Sequence, residues 1–502
     1  MKTKIFLAVL LLSLNGLVFS QNYRYVNTVF QNVTIASNVV YGSAPFLNSP
    51  YYDETNTSTA NLVMDIYQPA GDILTNRPAI IFAHGGGFVS GNRNHDDMVA
   101  FCDTFARKGY VTATIEYRQG VYTFTDVPMH YTRAVYRGAQ DGRTAVRFLR
   151  ANAAAYGIDP DKIYFAGSSA GGFIGLHDIY MDDPAEKPLY AGVTIYGSFP
   201  PITAPDLGPF DIGNNLTYNG EPDALLSLWG AVASPDLITL DDNQPVFLVH
   251  GTADVIVPFD SGHPFQVPAI PVTYGSNQID IKLNALGLTD KMTCFAQGEG
   301  HEFYGVTNGM WNNGTGGNAY WDTIVKKTTT FFYAVHKPVA AYSFTFDNLT
   351  VNFTDLTTGS IAWHWTFGDG TTSTVQNPAH NFLSYGTYQV KLYVQNSIAS
   401  WDTLTHTVFL TAMPANLTVS DTVLHNFYPN PTPGTFIIEF GDAGIPSEVQ
   451  VTVYGMHGEK ILQKAICHEK RSVFCIDSAP PGVYIMRIRI GNESVTQKIV
   501  KI

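Results

Sequence analysis

Charge is scarce in this chain. Asp, Glu, Lys and Arg make up 14% of its 502 residues, and 42 acids against 29 bases leave a net charge of −13. No basic face able to neutralise a phosphate backbone can be built from that balance, so nucleic acid is excluded as a partner. Long apolar runs are missing as well. Beyond the N-terminus no segment approaches the ~20 apolar residues needed to cross a bilayer, so no transmembrane helix is expected in the mature protein. Cysteine is sparse, with four in all and none at metal-site spacing with histidines, so no metal site is expected. Cys467 and Cys475 are near enough for a hairpin bridge, and Cys102 and Cys294 read as buried thiols. No repeat with a period of roughly 20–50 residues occurs, which removes solenoids and propellers.

Aromatics, by contrast, reach 13%, with 28 Tyr and 31 Phe, and the hydrophobic fraction is 45%. That mix fits globular, β-rich extracellular modules with uncharged polar surfaces. Lys2 and Lys4 precede the apolar run 5–12, and Ser13, Gly16 and Ser20 lead toward a cleavage site. Residues 1–20 are therefore expected to be a signal peptide, with a secreted or surface-attached mature chain from about Gln21.

From 61 to 336, strand patterns (61–69, 79–83, 111–117, 162–166, 191–196, 246–250, 292–296) alternate with helical ones (133–156, from 169, 320–336). Such alternation predicts an α/β fold, with a mostly parallel sheet covered by helices on both faces and a site at the carboxyl ends of its strands. The pattern changes at Lys337-Pro338. Short alternating strands then predict one small β-sandwich over 338–412, a linker over 413–425 and a second β-module over 426–502.

Chemistry concentrates at four places. Gly167-Ser168-Ser169-Ala170-Gly171 fits G-x-S-x-G after a strand and at the start of a helix, where a sharp turn lifts a serine Oγ above the sheet. His84-Gly85-Gly86-Gly87-Phe88 follows the strand 79–83, and its glycines bring backbone N–H groups close to a substrate carbonyl. Gly86, Gly87 and Ala170 are the expected oxyanion donors, each typically worth about 2.7–4 kcal/mol of barrier. His84 is expected to brace that loop. Asp254 follows the strand 246–250, and His301 follows the strand 292–296, giving the order serine, acid, histidine. Ser169 is thus the expected nucleophile, His301 its base and Asp254 the group that orients the base. Ser168, Asp236, Asp260, Glu299, Glu302, His177, His250, His263 and Cys294 are the rivals.

These residues resemble the carboxylesterase and hormone-sensitive-lipase-like α/β-hydrolases, including feruloyl- and acetyl-esterase-like members. The resemblance runs over 61–336 and is carried by His84 to Phe88, Glu116-Tyr117-Arg118, 141–152, Gly167 to Gly171, 251–258 and Gly300-His301. It implies an α/β-hydrolase fold over 21–336 and ester hydrolysis through an acyl-enzyme without metal or cofactor. After Tyr117-Arg118 the chain continues Gln119-Gly120-Val121, unlike the extended motif of related lipases. Trp365 to Gly370, Asn377-Pro378 and Tyr385-Gly386-Thr387-Tyr388 resemble a PKD domain, an immunoglobulin-like sandwich. Tyr428-Pro429-Asn430-Pro431, Val453-Tyr454, Gly482-Val483-Tyr484 and 498–502 resemble the type IX secretion C-terminal sorting domain. That implies the type IX machinery as a partner, with the tail removed after export.

The leading expectation is an extracellular carboxylic-ester hydrolase acting on acetyl or feruloyl esters of plant polysaccharide. A lipase or polyesterase is the alternative enzyme, and a serine peptidase shares the triad. A non-catalytic adhesion or binding protein is the alternative of another class. Regions 198–243, with Trp229, and 261–278 are expected to wall the substrate site.

Overall fold

The computed structural model describes residues 23–197, 200–410, 424–440, 449–455, 458–466, 469, 471–490 and 493–502. The expected signal peptide, most of the expected linker and Cys467 lie outside the described residues. Two compact units emerge, one of 1–344, 353–378 and 389–406, the other of 345–352, 379–388 and 407–502.

The first unit is built on an eight-stranded sheet: β1 (Val33–Leu47), β2 (Thr57–Pro69), β3 (Arg77–Ala83), β4 (Val111–Ile115), β5 (Ile158–Ser168), β6 (Leu225–Leu228), β7 (Val246–Gly251) and β8 (Lys291–Ala296). Their order is β1-β2-β4-β3-β5-β6-β7-β8. The pairings β1–β2 and β2–β4 are antiparallel and the rest parallel. Helices α1 (Asp96–Lys108), α2 (Val127–Ala151), α3 (Ala170–Tyr180), α4 (Ser276–Leu286) and α5 (Ala319–His336) cover both faces.

The central runs 79–83, 163–166 and 246–249 are apolar throughout because both faces of the sheet are buried there. Ile81, Ile163, Phe165, Val246 and Leu248 point into one core with α2, α3 and α4. Ile80, Phe82, Tyr164, Phe247 and Val249, alternating with them, point into the other core with α1 and α5. This is the α/β-hydrolase fold that the sequence leads one to expect.

Several elements depart from the expected pattern, which does not include β1, α1 or α4 at all. Leu225–Leu228 is a short central strand that the pattern does not reveal, since four residues carry too little periodicity. The strand expected at 191–196 is Thr194–Tyr196 and pairs outside the main sheet, with Ile202–Ala204. Helix α2 also begins six residues before the expected 133, where Pro128 sits in its first turn and its missing N–H costs nothing.

Among the described residues, the chain from 342 onward is all β. Sheets of three (Tyr342–Asp347, Thr350–Asp355, Ala379–Asn381) and four strands (Thr372–Ser373, Ser360–Thr366, Gly386–Asn396, Trp401–Leu410) form first. Trp365 is fully buried against Tyr342 and Phe353, a core role rather than a surface one. In the second unit, Leu424–Tyr428, Thr435–Phe440 and Arg471–Cys475 form one sheet. Lys460–Ile466, Val449–Tyr454, Gly482–Ile490 and Glu493–Lys501 form the other. Phe436, Ile438, Val451, Val453, Phe474, Met486 and Ile488 make the core between them.

Candidate active site

Ser169 stands where β5 turns into α3, at φ 54 and ψ −114, a region that a serine adopts only when its surroundings hold it there. Its N–H donates to Leu228 O in β6, and its own carbonyl accepts from Phe173 N in α3. The close fit demands a glycine after the turn: a Cβ on Gly171 would lie 2.1 Å from Ala83 O of β3. Ser168 faces the other way, its Oγ accepting the indole N–H of Trp229 at 3.0 Å.

The loop after β3 curls over Ser169. Gly86 has φ 115, and a Cβ there would meet Ser90 O at 2.0 Å, so no other residue fits this turn. Val89 N and Ser90 N both donate to Gly86 O. Among the described residues no protein acceptor takes the N–H of Gly86, Gly87 or Ala170. Tyr117 Oη donates to His84 O, and the two rings stack at 4.3 Å. His84 is fully buried, with Nδ1 on Gly85 O, and burial lowers its imidazole to about 3. It is a neutral brace, unable to serve as a base at ordinary pH. Beneath the loop, Arg118 pairs with Asp141 of α2.

Asp254 and His301 come from the loops after β7 and β8. Parallel pairing of the two strands sets those loops side by side, and Ala253 N donates to Glu299 O. His301 Nδ1 lies 2.6 Å from Asp254 Oδ2. Asp254 Oδ1 accepts Ile256 N and Val257 N, and His250 Nε2 approaches Oδ2 at 3.3 Å. Burial pushes this carboxyl up, but hydrogen bonds from His250 and His301 outweigh it and hold the group far below the usual carboxylate range. It is therefore held as an anion beside His301. Ser169 and His301 line one groove without a hydrogen bond between them among the described residues, a spacing that often closes only with substrate present.

The rivals are accounted for. His250 is fully buried between Ser276 Oγ and Val257 O. His263 bonds Ile270 O, and His177 bonds Phe173 O. Glu299 accepts Tyr320 Oη at the surface, Asp260 accepts Asn277 and Gln278, and Asp236 lies near Lys282. Cys102 and Cys294 are free thiols, Cys102 buried and Cys294 half-buried.

Two cavities meet at Ser169. One, of about 750 Å³ counted to its open mouth, is almost wholly apolar, with Phe88, Tyr131, Phe173, Phe265, Ile270 and Val272 in its wall. The other is the groove of about 810 Å³ that holds His301, where Ser90, Glu302, Thr307 and Asn308 add polar atoms. Gly87 and Phe265 border both. The stretch 261–278 does wall the site, but among the described residues of 198–243 only Ala233 lines the apolar cavity. Trp229 is fully buried instead, packed on His301, Phe303 and Tyr304. Phe265, at φ 57, belongs to the stretch 261–278 expected to wall the site, but its place between the two cavities has no sequence signal.

Residues 64–178 match the BD-FAE family model, 339–411 the PKD domain and 426–502 the secretion system C-terminal sorting domain. Neuroligin-like protein glit-1 of Caenorhabditis elegans is 30% identical over 158 residues, 31% of this chain and 20% of that protein. Carboxylesterase 1D of Mus musculus is 34% identical over 113 residues, 22% of this chain and 19% of that protein. The chain thus spans about a fifth of the length of these curated relatives. A solved structure, Thermogutta terrifontis esterase 2 phosphoramylated by tabun, aligns at 20% identity and a TM-score of 0.39, covering 59% of this chain and 95% of that one. The chain carries a BD-FAE, a PKD and a sorting domain, and the last marks it as secreted or attached to the cell surface.

Proposed function

We propose that this chain is a carboxylic-ester hydrolase that works through Ser169, His301 and Asp254 by way of an acyl-enzyme. The observation that carries the reading is the meeting, at one rim, of a strained serine, a His–Asp pair at 2.6 Å and a loop of unpaired N–H groups. His301 Nε2 takes the Ser169 proton as Oγ attacks the ester carbonyl, and Asp254 stabilises the imidazolium that results. The N–H groups of Gly86, Gly87 and Ala170 receive the oxyanion. The leaving alkoxide must regain a proton from His301, so the alcohol belongs in the groove that holds His301. The acyl group is then left for the apolar cavity. Water, activated by the same imidazole, frees the acid. Nucleophile, base and oxyanion donors are all supplied by the chain, so the chemistry calls on no metal or cofactor.

An apolar acyl cavity beside a groove that adds polar side chains to a partly apolar wall suits acetyl or feruloyl esters of plant polysaccharide. In this reading 21–336 is the catalytic domain, 338–412 is a spacer, 413–425 is a linker and 426–502 addresses the type IX machinery. The apolar cavity also favours a second reading, a lipase or polyesterase. A panel of acetylated xylan, methyl ferulate and p-nitrophenyl esters of increasing length separates them, with Ser169→Ala as control. Turnover of ferulate or acetylated xylan, lost in Ser169→Ala, is expected. Preference for the longest acyl chains selects the lipase, and no turnover of any ester by the wild type leaves a binding protein.

A further inference from the structure

One buried acid at this rim has no part in the triad. Glu302 follows His301 at φ 50, a conformation costly to any residue with a side chain. It is nevertheless only 7% exposed. Oε2 accepts Asn308 N at 2.5 Å. The turn that supplies this donor is itself left-handed at Asn308 and Gly309. Oε1 takes no hydrogen bond among the described residues and reaches toward the nucleophile. It lies 3.5 Å, and Ser169 Cβ 3.4 Å, from the point where a side chain on Gly85 would begin. The same carboxylate lines the groove with Ser169 and His301.

Resting on the esterase reading above, we infer that Glu302 is a positioning residue, a second anion that stabilises the imidazolium of His301 as the serine proton arrives. Two strained turns and a buried charge are costs that packing alone does not require. Burial raises the Glu302 carboxyl, and the charge of His301 draws it back down, so the two groups stand close enough for their charges to interact. The other charged or titratable groups around it do not take that role. Asp254 and Asp97 repel it, and Tyr304 donates to Asp97. His84 and His95, beside Gly85 and Gly309, are both shifted toward the neutral form by burial. His301 is the one neighbour that gains a charge during the reaction.

The test compares wild type, Glu302→Gln and Glu302→Gly on one soluble short-chain ester, from about pH 5 to 9. Glutamine keeps the volume and an acceptor for Asn308 N, and glycine relieves φ 50. Both are expected to keep KM while kcat falls about tenfold, the factor carried by a one-unit change in imidazolium stability. The acidic limb of the kcat/KM profile is expected to move to lower pH by about one unit, because removing a neighbouring anion makes the imidazole less basic. A wild-type limb in both folded variants overturns the inference, and so does a Glu302→Gln enzyme as fast as wild type or faster. In that case the carboxylate harms the oxyanion more than it helps the imidazolium. Failure of the esterase reading is seen separately, as an inactive wild type.

Discussion

Asp254 has both oxygens occupied, one by two backbone N–H groups and the other by two imidazoles, so its charge and its direction are fixed before substrate arrives. Asp254→Asn keeps the shape but offers an amide, which cannot stabilise imidazolium and allows the wrong tautomer. Its kcat is expected to fall about 10⁴-fold with KM nearly unchanged, read from initial rates on a p-nitrophenyl ester; a near-normal kcat removes Asp254 from the mechanism. Gly86→Ala is expected to cost more than one lost donor, because its Cβ collides with Ser90 O and the whole loop must move. A loss beyond the ~10²–10³-fold of a single oxyanion donor measures that displacement. Phe265 separates the two cavities and lies 3.2 Å from where a Gly87 side chain would start. Phe265→Ala joins the cavities, and selectivity between short and bulky acyl esters is expected to relax by about tenfold or more. Unchanged ratios of kcat/KM across the ester panel would remove Phe265 from substrate selection.

Helix α2 shows why an element this long can be so wet in composition and so deeply buried. Arg133, Arg137, Arg143, Arg147 and Arg150 repeat at three- to six-residue spacing and are all buried or nearly so. Their partners are Glu54, Asp211, Asp223 and the carbonyls of 190–221, which lash that excursion to the helix. Glu54 is the most enclosed anion of the set. Burial would raise it, but His130, Arg137 and Arg133 hold it at about 2, against 4.5 for the free group. A depressed carboxyl gives stability that is complete above pH 4.5 and is lost as pH falls toward 2. Glu54→Gln is therefore expected to destabilise the domain by about 3 kcal/mol at neutral pH. The gap from wild type should close as pH falls from about 4.5 toward 2. Urea midpoints measured across that range decide it; a gap independent of pH means that packing, not charge, holds the loop.

For the whole molecule, the proposed triad lies between Ser169 and His301 and the central sheet ends at Ala296, so the sorting domain contributes no catalytic group. Removing residues after about 413 is expected to spare kcat and abolish export, measured by ester turnover beside cell fractionation. Secretion of the shortened chain would overturn the sorting role. A cut at 337 is a different matter. Tyr25 Oη donates to Ile398 O, Tyr333 Oη to Trp401 O, and His336 Nδ1 meets Ser400 Oγ. His336 is fully buried and lowered to about 3, so these contacts weaken as pH falls from its free value near 6.5. The shorter chain is expected to keep its rate on soluble esters but to melt several degrees lower, a difference visible in a thermal scan.

Strand-end motifs in order made Ser169, Asp254 and His301 legible as candidates, because a sharp turn after a buried strand needs small residues and leaves a local signature. The alternating cores, the three helices α2, α3 and α5 and the β-rich C-terminal half follow from apolar periodicity for the same reason: they depend on near neighbours in the chain. Leu225–Leu228, the place of Phe265 between the two cavities, the inward turn of Trp229 and the carboxylate of Glu302 have no such signature. Each takes its place from contacts between segments tens to hundreds of residues apart, such as Trp229 with Ser168 or Glu302 with Gly85. Sequence alone thus determined which chemistry the chain is equipped for. Tertiary packing decided which side chains border the nucleophile, because only the closed sheet brings those distant loops to one rim.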